Sequence, residues 1–109
     1  MAQTKTFFAA YSDASFEFVC AALRRHFNLP EFTVEFHDTW QHSCAGTEQI
    51  TINVTRAADS STIETWMDQC PPGVNWQIIA EYQSEPTELK EILAFCLAAE
   101  PLRYHTTRQ

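Results

Sequence analysis

The residue types best able to do chemistry in this chain are Glu35, His37, Asn53, Gln77 and Glu81, and their spacing puts them on one surface. Glu35 and His37 alternate with Val34 and Phe36. Asn53 lies between Ile52 and Val54, and Gln77 and Glu81 alternate with Trp76, Ile78, Ala80 and Tyr82. Alternation with period two sends the polar set to one face of a sheet and the apolar set to the other. Thr33, Thr39, Thr51, Thr55 and Asn75 belong to the same polar set. Carboxylates, an imidazole and carboxamides sharing a face can bind a polar ligand or move protons. The solvated side of any half-buried antiparallel sheet has the same pattern. It marks a candidate ligand surface, one that a dimer would help to enclose, and assigns no catalytic residue.

His37, Asp38, His42 and Cys44 are the densest group of potential metal ligands. On one strand His37 and Asp38 point to opposite faces, and His42-Ser43-Cys44 is not a familiar zinc spacing, so no metal is expected. A Cys44 nucleophile lacks an identifiable orienting group and oxyanion donor. With Gly46 and Gly73 the only glycines, no phosphate-cradling loop can form. G-x-S-x-G, H-E-x-x-H and paired C-x-x-C motifs are absent as well. The expectation is a non-enzymatic chain that uses no cofactor.

Charge offers the other lead. The net charge is −7, and residues 31–91 hold eleven carboxylates against Arg56 and Lys90. An acidic middle repels phosphate backbones, which argues against direct nucleic-acid binding and suits a protein partner with a basic surface. Glu81, Glu85, Glu88 and Glu91 form an acidic edge, and Glu64 and Asp68 add a pair one helical turn apart. Trp40, at the end of a strand beside a turn, is a natural aromatic anchor for such a partner. The same charges also serve solubility and helix dipoles.

The elements that must position these residues can be read along the chain. Thr4 to Tyr11 reads as a strand. Phe16, Val19, Cys20, Leu23 and Phe27 then have helical spacing after the N-cap candidates Ser12, Asp13 and Ser15. Glu31 to Thr55 reads as a hairpin, with Phe32, Val34, Phe36 and Trp40 on one strand, a loop over Gln41–Gln49, and Ile50, Ile52 and Val54 on the other. A second helix begins at Asp59-Ser60-Ser61, where Ser61 and Glu64 have capping-box spacing, and carries Ile63, Trp66, Met67 and Cys70 to Pro71-Pro72. Val74 to Gln83 is a strand. A third helix opens at Ser84-Glu85-Pro86-Thr87, buries Leu89, Ile92, Leu93 and Cys96, and ends at Pro101. The tail after Pro101 either frays or adds an edge strand.

This order, β-α-β-β-α-β-α, resembles the ferredoxin-like arrangement: one α+β domain over 1–109, with a four-stranded antiparallel sheet, helices on one face and an extra C-terminal helix. No apolar run approaches the ~20 residues of a membrane span, and the apolar stretch after Lys5 is too short for a signal peptide. The four cysteines lack the dense spacing of secreted scaffolds, so reduced thiols and a cytoplasmic address are expected. In size and charge the chain resembles immunity proteins, phage-encoded inhibitors and secretion chaperones. The expected role is therefore to inhibit or modulate a basic protein partner, with a homodimer compatible with this architecture.

Overall fold

The computed structural model describes residues 3–37, 39–59, 62–63 and 69–108. Six strands form one antiparallel sheet: β1 Thr4–Ala10, β2 Thr33–Phe36, β3 Trp40–Gly46, β4 Ile50–Ala57, β5 Trp76–Tyr82 and β6 Leu102–Arg108. Their order across the sheet is β2-β3-β4-β5-β1-β6. Two helices are described, α1 Phe16–Phe27 and α2 Leu89–Leu97. Ser15 caps α1, its Oγ accepting from the Phe18 amide at 3.1 Å. Most of the second expected helix, including Trp66, Met67, Glu64 and Asp68, lies outside the described residues, as do Asp38, Ser60 and Ser61.

The four-stranded ferredoxin-like arrangement is therefore incorrect, and a missed strand explains why. Residues expected to loop over Gln41–Gln49 instead form β3, paired with β2 on one side and β4 on the other. The inward residues of β3 are Ser43 and Ala45, both buried, and the Cys20 sulfur of α1 lies 3.2 Å from Ser43 Oγ. Small side chains let the helix approach the sheet, but they leave no hydrophobic periodicity to read. The extra strand reverses the direction of β4 relative to the expected arrangement. β4 then runs parallel to β1 and cannot be its antiparallel neighbour. β5 takes that place, pairing with β4 and β1. The tail forms β6 on the far side of β1.

Both helices cover the same face. Phe8 of β1, Ile50, Ile52 and Val54 of β4, and Trp76, Ile78, Ala80 and Tyr82 of β5 pack with Phe16, Val19 and Leu23 of α1 and Leu89, Leu93 and Cys96 of α2. A smaller cluster lies on the opposite, open face, where Ala9, Ala57, Ile63 and Val74 pack with Trp40, Cys70 and Tyr104. Trp40 therefore begins β3 on the open face, separated from Phe36 by the β2–β3 turn, rather than ending a strand beside it.

Buried Ser12 joins four elements at one corner. Its amide donates to Asn75 Oδ1 at 2.9 Å, and its carbonyl accepts from Asn75 Nδ2 at 2.9 Å and Trp76 Nε1 at 3.0 Å. Its hydroxyl donates to the Leu97 carbonyl and accepts from the Ala14 amide. Asn75, expected on the open face, is thus committed to this clamp. Because its amide satisfies both backbone groups of Ser12, Asn75→Ala should cost about 1–3 kcal/mol. Denaturant unfolding reads that cost, and an unchanged midpoint would show that the clamp is not a structural link.

Candidate functional site

The pairing register places three of the expected ligand residues, Glu35, Asn53 and Gln77, on the open face in two adjacent rows. Glu35, His42, Thr55 and Gln77 lie directly across four strands, and Cys44, Asn53 and Ile79 lie across three. Trp40, His42, Asn53, Thr55, Gln77 and Ile79 line a shallow groove of about 270 Å³. Its floor is not the solvated surface expected of a bare sheet. Gln77 and Thr55 are each only 7% exposed, and Gln77 Nε2 donates to the Tyr104 hydroxyl at 2.7 Å.

The five residues do not converge. Glu35 and His37 form their own pair, with Oε1 and Nε2 3.3 Å apart, at the exposed end beside β2. The His37 ring stacks on Trp40 with centroids 3.8 Å apart. Glu81 lies farther along β5, where Lys5 approaches it at 3.6 Å. Asn53 and Gln77 alone of the five line the groove, and His42 and Ile79 complete it. The sequence offers His42 as a metal ligand or as a base for Cys44, and only its place on β3 makes it a groove residue.

Three of the four thiols, Cys20, Cys44 and Cys96, are raised above the ordinary thiol range. Burial raises the Cys20 thiol, partly offset by its bond to Ser43, and burial together with Glu81 raises Cys44. Burial pushes Cys96 up to about 11. A nucleophilic cysteine needs the opposite shift. Among the described residues no three histidine, cysteine or carboxylate side chains come together as a metal site, and no helix is long and apolar enough to cross a membrane.

The acidic edge is built differently from its sequence pattern. Glu85 and Glu88 precede α2, and Glu88 has left-handed backbone at φ 61°, so the three glutamates do not share one helical side. The Arg103 guanidinium binds Glu85 through two bonds of 2.8 and 3.0 Å, and Tyr82 adds a third at 3.0 Å. The Arg103 bonds hold the Glu85 carboxyl below its usual range, with Tyr82 reinforcing them. Glu91 stands exposed in the first turn of α2.

Beside Glu85 lies the largest cleft described, about 600 Å³, at one end of the sheet. Three separate turns build it: His26 and Phe27 at the end of α1, Glu48 and Gln49 before β4, and Gln83–Thr87 before α2. Phe27, Ile50 and Pro86 supply apolar wall. Glu48 and Glu85 bring two carboxylates to the cleft, Glu85 already bound by Arg103, while the last turn of α1 beside it carries Arg24, Arg25 and His26. No known protein family, curated protein or solved structure matches this chain. The cleft and the groove therefore have to be read from their own chemistry.

The thiol environments carry a pH consequence. Cys96 has a folded value of about 11 against an ordinary 9.0. Its contribution to stability is fully present below the unfolded value and is lost as pH rises through the folded one. Denaturation in reductant should show stability falling between pH 9 and 11, with a shallower fall in Cys96→Ala. Identical slopes would contradict the burial assigned to this thiol.

Proposed function

We propose that this chain is a non-enzymatic binding domain of the cytoplasm that inhibits or modulates a protein partner through a basic segment of that partner. The supporting observation is the cleft at the end of the sheet. A lysine or arginine side chain has an apolar stem and a charged head. Phe27, Ile50 and Pro86 match the stem. Glu48 and Glu85 match the head. Arg103 already neutralises much of Glu85, so Glu48 carries the larger share of unmatched charge, with exposed Glu88 next to the rim. Immunity proteins, phage inhibitors and secretion chaperones provide roles of this kind. Glu64 and Asp68 belong to the same reading through their sequence alone.

A second reading is a small polar ligand, or an enzymatic site, on the open face. It is supported by the groove that brings Asn53, Gln77 and His42 beside Trp40. The carboxylate–imidazole pair of Glu35 and His37 stands outside that groove, which favours recognition over acid–base chemistry.

Titration with an arginine-rich peptide, followed by amide NMR shifts, separates the two surfaces. The expected shifts cluster at Phe27, Glu48, Gln49 and Thr87. Binding weakens by about tenfold or more between roughly 20 and 200 mM salt, as charge-driven association does. Glu48→Lys, in an exposed turn, should remove most of the affinity while leaving the fold intact. If Glu48→Lys binds like the native chain, or if the shifts fall elsewhere, the cleft is not the basic-segment site.

A further inference from the structure

We infer that β2 is a self-association edge, and that a second copy of this chain pairs with it antiparallel about Val34. The four residues of β2 are all exposed. Val34 and Phe36 lie on the helix-covered face, yet they are 41% and 68% exposed, so neither described helix stands over this edge. The His37 amide donates inward to the Trp40 carbonyl at 2.9 Å. Antiparallel alternation then leaves the amides and carbonyls of Val34 and Phe36 directed outward, where another strand can take them.

The opposite edge of the sheet is protected. β6 pairs with β1 through a bulge, and Arg103 and Arg108 lie along it. Bulges and charged side chains are the usual defences of an exposed edge. β2 has neither a bulge nor a lysine or arginine.

The sequence of the edge selects a second copy and one register. With Val34 opposite its own counterpart, Phe32 meets the other copy's Phe36 on both sides of the two-fold axis. These three apolar pairs all lie on the helix-bearing face. On the open face Glu35 meets Thr33, and Glu31 meets His37, an acidic group against a basic one. Sliding the register by two in one direction sets Glu35 against Glu35. Sliding it the other way sets Phe32 against Val34 but opposes Glu31 with Glu35. Pairing about Val34 joins the most apolar pairs without opposing like charges, and cross-strand pairs of this kind stabilise a ladder.

The interface is small and belongs among transient associations. Sedimentation of the full chain from about 10 to 500 µM should show a monomer–dimer equilibrium. Because each copy carries −7, association should hold or tighten between roughly 50 and 500 mM salt, opposite to the cleft's response to a basic peptide. Val34→Lys sets two ammonium groups together at the axis and should weaken the dimer at least about tenfold. Phe36→Ser, at a site already exposed, should weaken it as well. In the native dimer the amides of Val34 and Phe36 should gain protection from hydrogen exchange, and Glu48→Lys should dimerise normally. A monomer at every concentration overturns the inference. So does salt-weakened association, or unchanged association of both edge variants while their circular dichroism remains native.

Discussion

Everything in this molecule hangs from the corner at Ser12. A serine between a strand and a helix would ordinarily answer one or two local amides. Here its amide, carbonyl and hydroxyl reach the start of β5, the beginning of α1 and the last turn of α2. The backbone groups at this turn are cut off from water, so each must find a partner inside the protein. Asn75 and Trp76 provide them from the strand that became the neighbour of β1. The Trp76 ring then stacks on Phe16 with centroids 6.0 Å apart, and Arg56 lies over it at 5.7 Å. A polar corner thereby fixes the most heavily packed part of the core.

The parts of the fold legible in the sequence are those where large apolar residues mark the period. Ile50, Ile52 and Val54 announced β4, Trp76 to Tyr82 announced β5, and Phe16 to Phe27 with Ser15 announced α1 and its cap. β3 was illegible because its inward residues, Ser43 and Ala45, are small in order to admit α1. That single omission changed the parity of the sheet and with it the whole topology. Glu88 shows a related failure. Its left-handed backbone delays the start of α2, so glutamates that looked like one stripe became separate positions around a turn.

The site residues followed the same logic. Sharing a sheet face was readable from alternation, and Asn53 and Gln77 do lie on one groove. Convergence was not readable, because it depends on which strands are neighbours and where each is displaced along its axis. The cleft was invisible for a stronger reason. Phe27, Glu48 and Pro86 come from three turns far apart in the chain, and no local spacing links them. His42 was overlooked as a groove residue because a residue assigned to a loop has no face.

The bulge between β1 and β6 has a consequence for assembly as a whole. The extra residue, Tyr104, lies beside His105 so that both rings contact Phe7, and the strand bends away from the straight path that another chain would need. A sheet with two plain edges can keep adding copies and become a fibril. With one edge bent and charged, growth through the other edge would end at a closed pair. The chain can thus carry an apolar strand at its margin without becoming the seed of a polymer.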